Sequence, residues 1–372
     1  MQVRFADAVD IPAVVRFNER LRDAGRIEEM LLDPALPGEA RFRPDGFPIF
    51  RKMIIAEDGQ EVRAAMLLCH HNIFIDGTSR DFCWTKLPLS EGIINSRYSL
   101  AIIQLIRKSQ DIHPFMMGVG GGTPDSDGYR LFAGLRWRYQ EVPFFFYPAN
   151  LNRVLTGLEY LRKSGSRATL AAIVARSGLG SILNLMLKVR RRLADRNSGV
   201  ESRVVDSFDR WASELFHRAL PEYRVAIRSD AEALNIVYPP DDRRYIRLRV
   251  RDSSSGADVG WIVVAVKKME GNHYFGDLKV GTLVDGFCRT EDARRLVSAG
   301  IRHLTEAGVD LIVANFSHSA WRNACLESGM FPGPSNFNLF VSPQGGNLLE
   351  EACPLHDIHI ARGHSDGMDN LI

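Results

Sequence analysis

One order of elements occurs twice in this chain, and that repeat limits what the chain can fold into more than any other feature. The order is a strand, a helix of about 15 residues, a short buried strand, a polar loop, a short helix, a glycine turn and a last strand. The first copy runs from Phe82 to Phe146. It reads as strand Phe82–Lys86, helix Ser96–Gln110 with Leu100, Ile103, Leu105 and Ile106 on its apolar side, and strand Phe115–Met117. A glycine-rich loop Gly118–Gly122, helix Pro124–Ala133, turn Gly134-Leu135 and strand Val142–Tyr147 complete it. The second copy runs from Phe275 to Phe340. Leu278, Val280, Thr282 and Val284 alternate along strand Phe275–Asp285, and Thr290 and Gly308 bracket a helix over Glu291–Ala307. Strand Val309–Ala314, helix Ser319–Ser328, Gly329 and strand Phe337–Val341 follow. A repeat on this scale calls for two related units, each burying one sheet under helices.

The flanking sequence agrees with that division. Val3–Phe5 reads as a strand, and Asp7–Asp23 as a helix with Ile11, Val14, Val15, Phe17 and Leu21 at helical spacing. Strands Ile49–Ile55, Val62–Leu68 and Asn72–Ile75 follow, with Asp76-Gly77 as a hairpin turn. Tyr245–Arg249 and Val259–Val266 are strands of the second unit, while residues 150–218 read as helices throughout. At 372 residues the chain is long enough for two domains. The expected class is α+β (mixed α/β): a mixed twisted sheet flanked by helices at 1–150, a helical linker at 151–220, a second such domain at 221–345 and a tail at 346–372. Within the linker, the apolar stretch 168–192 ends in Lys188-Val-Arg-Arg-Arg192. It suits either a helix packed between the domains, its basic end complementing the helix dipole, or weak contact with an anionic membrane surface.

Composition excludes some classes of function. A formal charge of +2 is too small a surplus for a protein that coats nucleic acid, so no nucleic-acid partner is expected. The five cysteines are scattered with no C-x-x-C pair, which fits free thiols in a reducing compartment. Neither a secretory leader nor an uncharged apolar run of about 20 residues is visible, so the expected location is cytoplasmic. Oligomeric state is not readable from the sequence.

One block is specific enough to name a family. Val309-Asp-Leu-Ile-Val-Ala-Asn315-Phe-Ser-His-Ser-Ala320, followed by Trp321 to Cys325 and Gly329-Met-Phe331, resembles the last conserved block of the GNAT (GCN5-related N-acyltransferase) superfamily. The opening, Val3 to Val15, is similar to the family's first strand and helix, and both copies resemble its fold. The tail His359 to Gly367 and the stretch Gly276–Gly281 also resemble tandem GNAT-like proteins linked to bacterial exopolysaccharide genes. The resemblance implies acyl transfer from acetyl-CoA or another acyl-CoA to an amine on a small molecule or sugar. Two rivals stand beside it: a non-catalytic or regulatory binding module, and an aminoacyl-tRNA-dependent transferase.

The family holds the pyrophosphate of its acyl-CoA on a glycine-rich loop at a helix N-terminus, where bare amides bind anions. The corresponding stretches here are Asn95-Ser96-Arg97-Tyr98-Ser99 and Cys288-Arg289-Thr290-Glu291-Asp292, and neither contains glycine. The first keeps a cation and small hydroxyl residues, whereas the second sets two acids where a phosphate would sit. Copy one is therefore the expected binder. The family's frequent tyrosine acid corresponds to Arg130 in copy one and Cys325 in copy two, with Tyr129 one place away.

Acyl transfer to an amine needs a base for the ammonium, donors for the oxyanion and a proton for the departing thiolate. Glu91 is a candidate base, with a solvated loop acid as the plainer reading; Tyr129 is a candidate acid, with a packing aromatic as its alternative. Gly120, Gly121 and Gly122 mark a place where backbone approaches a ligand, or else a simple bend. In copy two, Asp285, Asn315 and His318 should cluster at the ends of adjacent strands. There Asp285 and Asn315 would contact substrate, with a structural hydrogen-bonder as the plainer reading of Asn315. His318 would titrate near neutrality and serve as a base, with a structural or solvated loop histidine as its alternative. Cys325 reads as a buried helical thiol. The tail's His356, Asp357, His359, His364, Asp366 and Asp369 match no ligand spacing and read as a mobile terminus, so no metal is expected.

Overall fold

The computed structural model describes residues 1–25, 32–33, 49–157, 199–272 and 274–364. The proposed membrane-facing stretch 168–192, together with Asp366 and Asp369, lies outside the described residues.

Along the chain come β1 (Gln2–Phe5), α1 (Ile11–Asp23), β2 (Phe50–Asp58), β3 (Glu61–Ile75), β4 (Thr78–Ser90), α2 (Ala101–Ile112), β5 (Met116–Gly121), α3 (Asp127–Gly134), β6 (Arg138–Glu141) and β7 (Phe144–Pro148). The middle part holds α4 (Leu151–Gly157), β8 (Val200–Val205), α5 (Arg210–Ala219), β9 (Val225–Ile227), α6 (Ala231–Val237), β10 (Ile246–Asp252) and β11 (Asp258–Lys268). The last part is β12 (Lys279–Cys288), α7 (Ala293–Glu306), β13 (Leu311–Asn315), α8 (Ser319–Glu327), β14 (Phe331–Gly333), β15 (Phe337–Val341) and α9 (Pro343–Ala352).

Each helix meets its sheet through one apolar stripe. Helix α1 buries Val14, Phe17 and Leu21, α2 buries Ile102, Leu105 and Ile106, and α7 buries Leu296, Val297, Ile301 and Leu304. The β3–β4 hairpin closes through Asp76 and Gly77, both at positive φ (46° and 77°), the backbone of a two-residue turn that follows strand twist.

Two mixed sheets result. One has the order β1-β2-β3-β4-β5-β15-β6, with β9 paired to β3; the other has the order β14-β7-β13-β12-β11-β10-β8. The final strands of the two copies are exchanged. β7, from the first copy, pairs antiparallel with β13, while β15, from the second, pairs antiparallel with β5. The two crossovers touch. Val142 N–H donates to Phe337 O at 2.9 Å, Ser335 Oγ donates to Val142 O at 2.6 Å, and Asn315 Nδ2 donates to Val142 O and Pro143 O at 3.2 Å each. Pro143 and Pro334 sit at the points where the chain leaves one sheet for the other, where a missing N–H costs no ladder bond.

Three expectations need correction. Residues 150–218 are not helical throughout: Val200–Val205 is an edge strand paired with β10. Gly118–Gly121 is not a loop but the last four residues of β5, held in register by β15. The tail is not mobile up to residue 364. Ile358, Ile360 and Ala361 are fully buried, and His359, Arg362 and His364 nearly so.

Candidate functional site

Each copy brings one parallel strand pair to its centre, and in each the pairing stops early. β4 and β5 pair only at Cys83–Met116 and Trp84–Met117, and β12 and β13 only from Val280–Leu311 to Leu283–Ala314. Just beyond, both antiparallel neighbours carry a bulge. The β3–β4 register shifts between Leu67–Lys86 and Ala65–Leu89, and the β11–β12 register between Val264–Leu283 and Val263–Asp285. Leu87 in the first bulge has φ 49°, a conformation that a branched side chain adopts at a cost.

The two openings differ in what fills them. The second receives the chain's own tail. Gly363 N–H donates to Val284 O at 2.7 Å, Ser317 N–H donates to Ile360 O at 3.0 Å, and Phe316 bridges to Ala361. Arg362 is buried there beside Asn315 Oδ1 and over the Phe337 ring, and desolvation pulls its guanidinium down to about 9. Gly363 has no room for a side chain, since a Cβ would collide with the Tyr238 hydroxyl and lie 2.8 Å from Val284 Cγ1. No tail segment pairs with β4 or β5 beyond Trp84 among the described residues.

A cavity of about 60 Å³ lies between the sheets, lined by Trp84 and Lys86 of β4, His71 of β3, Arg228, Tyr238, Asp285 of β12 and His364 of the tail, among others. At its floor Tyr238 Oη donates to Asp285 Oδ2 at 2.9 Å and Gly286 N–H donates to Oδ1 at 2.8 Å. Burial outweighs these bonds and pushes the Asp285 carboxyl up to about 7. His364 Nδ1 accepts the Ala361 N–H at 3.0 Å, which leaves the ring proton on Nε2, 3.7 Å from Asp285 Oδ2. The same ring stacks on Trp84 at 5.7 Å, and burial holds it neutral, down at about 3. His359 Nε2 lies against Gly286 O at 2.9 Å and 4.0 Å from Asp285 Oδ1; burial pushes this ring well down too. Asp285 is thus a carboxyl that exchanges its proton near neutrality, at the floor of a cavity.

The other sequence candidates fall as follows. His318 is separated from Asp285 by His359, with the two imidazole centroids 6.3 Å apart; it caps α8 through Nδ1 to Ala320 N–H, and burial lowers its pKa. Asn315 clamps the strand crossover described above. Glu91 is 3% exposed, and its carboxylate is gripped by Arg20 and by Arg63 Nη1 (2.7 Å), while the Arg63 guanidinium lies 4.5 Å from the Tyr98 ring centroid. It props the loop that carries Asn95 to Ser99. In that loop Asn95 Oδ1 accepts the Arg97 N–H at 3.1 Å, Ser99 Oγ donates to Ser96 O at 2.8 Å, and Arg97 stands exposed with Asp58 at 3.7 Å. Tyr129 meets Tyr139 (4.8 Å) and Phe340 (5.7 Å) on the face of the first sheet that α2 and α3 cover; burial and its bond to Tyr139 raise the phenol. Gly120 and Gly121 pair with Asn338 and Phe337, and Gly122 O accepts from Asn338 Nδ2 at 2.6 Å.

Tyr238, His364 and Lys86 were not among the sequence candidates. The tail histidines were visible as a cluster of titratable types, but nothing local told that the tail returns to a sheet.

No protein-family model and no curated protein matches the sequence. Solved structures do match. Saccharomyces cerevisiae N-myristoyltransferase with bound myristoyl-CoA superposes with a TM-score of 0.53 at 12% identity, over 92% of this chain and 78% of that one. A GCN5-related N-acetyltransferase from Anabaena variabilis superposes with a TM-score of 0.51 at 10% identity, over 95% and 75%. The chain has the GNAT fold. Identities this low carry the fold and no further. The two mixed sheets, which exchange their last strands, are consistent with two GNAT-like units. No helix among the described residues is long and apolar enough to cross a membrane.

Proposed function

We propose that the protein is an N-acyltransferase that moves an acyl group from acyl-CoA to the amine of a small molecule or sugar, in the opening of the first sheet. One observation carries this reading. The β4–β5 pair separates at a strained bulge beside a cavity holding a carboxyl of near-neutral pKa, while the equivalent opening of the second sheet is taken up by the tail. Acetyl-CoA or a longer acyl-CoA would lie along the β4–β5 opening, its pyrophosphate at Arg97 and the start of α2.

Asp285 takes a proton from the acceptor ammonium, and Tyr238 and His364 hold its carboxylate in place. The freed amine attacks the thioester carbonyl carbon, the C–S bond breaks, and the thiolate leaves, taking up the second proton that the acylated nitrogen sheds. Tyr129, the sequence candidate for the acid, lies on the other face of the first sheet. A base whose pKa lies near 7 suits this step, because it is substantially ionised at neutral pH yet still strong enough to accept the proton. The test is calorimetric titration of the purified protein with CoA, acetyl-CoA and myristoyl-CoA, followed by thiol release with a panel of amines. Saturable binding that Arg97→Glu weakens, together with amine-dependent thiol release, supports the reading. Absence of binding by all three overturns it.

A further inference from the structure

Arg247 and Arg362 are both buried, at 4% and 9% exposure, but they are satisfied very differently. Arg247 donates Nε to Tyr238 O and Nη1 to Tyr245 O at 3.1 Å each, and Nη2 to Pro239 O and Asp242 O, so all three of its nitrogens are bonded. Arg362 donates Nη1 to Asn315 Oδ1 and lies 5.5 Å from the Phe337 ring centroid. Its Nε is buried without a partner, and among the described residues Nη2 makes no hydrogen bond and no carboxylate pairs with the group. Burial alone lowers its pKa, with no neighbouring charge contributing. A buried charge left uncompensated is costly, and an arginine with a purely structural role would be bonded as Arg247 is.

The unbonded edge has a specific shape. Nε and Nη2 form the fork by which Arg4 holds Glu57 (2.9 Å each), Arg224 holds Asp76 (2.9 and 3.1 Å) and Arg249 holds Asp258 (2.6 and 2.9 Å). It is the edge that matches a carboxylate. Its place in the fold selects which carboxylate. The tail's backbone bonds to Val284 and Ser317, but the Arg362 side chain reaches across to the first sheet. Phe337 pairs with Gly121, beyond Met117, where β5 parts from β4, and it packs in one cluster with Trp84, Met117 and Val119. The guanidinium therefore stands over that face of the sheet on the β5 side of the opening, while His364 stacks on Trp84 on the β4 side. Gly363 and His364 line the cavity that holds Asp285, whereas Arg362 does not. An acceptor amine on Asp285 is thus on the cavity side of the tail, and a group arriving through the β4–β5 opening is the one that meets Arg362.

We propose that the acyl donor is the CoA thioester of a dicarboxylic acid, its distal carboxylate held side-on by Nε and Nη2 of Arg362. The inference rests on the acyl-transfer reading above and narrows its donor. Asn315 holds the guanidinium through Nη1 and Phe337 supports its face, which leaves the fork oriented for two parallel charge-assisted bonds.

Calorimetric titration of the full chain compares succinyl-CoA with butyryl-CoA and malonyl-CoA with propionyl-CoA. Each pair is matched in chain length and differs by one carboxylate. The expected result is that at least one dicarboxylic thioester binds about tenfold or more tightly than its neutral match. Arg362→Met should bring that thioester to the affinity of its neutral match. Equal affinity within both pairs for the native chain overturns this inference and leaves the acyl-transfer reading in place. A folded Arg362→Met chain that keeps the preference overturns it as well. Binding of none of the four overturns both readings. Should Arg362→Met not fold, the native comparison still decides.

Discussion

Asp285→Asn tests the base without any substrate, because a carboxyl raised by burial makes the folded state depend on pH. The group passes from its ordinary 3.8 to about 7 on folding. Between those values the folded chain holds a proton that the unfolded chain has released. Stability from this site is therefore complete below about 4, falls as pH rises, and is fully lost above about 7. About three pH units separate the two values, and each is worth about 1.4 kcal/mol, so the loss reaches about 4 kcal/mol. Asparagine keeps the shape and can still accept the Tyr238 hydroxyl, but has no charge to bury. The variant should match the native chain at pH 4 and exceed it by about 4 kcal/mol at pH 8. With an unfolding entropy of about 2.1 cal/mol/K per residue over 372 residues, that is a Tm difference of about 5 °C. The assay is scanning fluorimetry of both proteins from pH 4 to pH 8, read as the difference between them so that other titrating groups cancel. The same substitution should lower acyl transfer by about 10²-fold or more. A Tm difference that is flat across this range would show that Asp285 is not raised, and the argument for it as base would fall.

Glu91→Gln separates a prop from a base: with Arg20 and Arg63 losing their carboxylate, the chain should lose about 2 kcal/mol in denaturant unfolding, whereas a lowered kcat at unchanged stability would restore Glu91 as the base. Arg97→Glu should weaken acyl-CoA binding about tenfold or more with Tm unchanged, since Arg97 is exposed and its contact with Asp58 is long; equal affinity by calorimetry would move the phosphate site elsewhere. Residues 1–157 and 199–372 expressed separately should each fail to show a cooperative melting transition and should regain one on co-expression, because each lacks a strand held by the other. A cooperative transition in either half alone would contradict that dependence.

Much of this architecture was legible because local rules and the tertiary fold agree. Asp76-Gly77 demanded a tight turn and makes one; the stripes of α1, α2 and α7 named their buried faces; Phe337–Val341 is a strand within the bounds its apolar run gave. What stayed hidden depends on partners far away in sequence. Nothing in Phe144–Pro148 says that it pairs with Leu311–Asn315 and not with its own copy's Met116–Gly121, since a strand's alternation fixes which face is buried and not who its neighbour is. Val200–Val205 carries Glu201, Ser202 and Arg203, too polar for a core strand, and it is an edge strand that only β10 holds. Asp285 was a candidate from its place on the strand, but its raised pKa comes from burial, which outweighs the lowering bonds from Tyr238 and Gly286 N–H and which nothing local in the sequence announces. The histidines and arginine of the tail looked like a solvated terminus, because charged and titratable types at a chain end usually are.

The exchange of strands and the filling of the second opening together set the two openings apart. β7 and β15 tie the sheets, and the bulged strands β4 and β12 both contribute to one cavity. Once one copy supplies the carboxyl, its own opening is free for another use, and residues 358–364 occupy it with backbone bonds to Val284 and Ser317. The tail then does for the second sheet what a bound ligand would do for the first: it satisfies the exposed edges and fixes Tyr238 and His364 against Asp285. On the proposed acyl-transfer reading, the second unit and the tail would supply a wall and the base of a site whose opening belongs to the first unit.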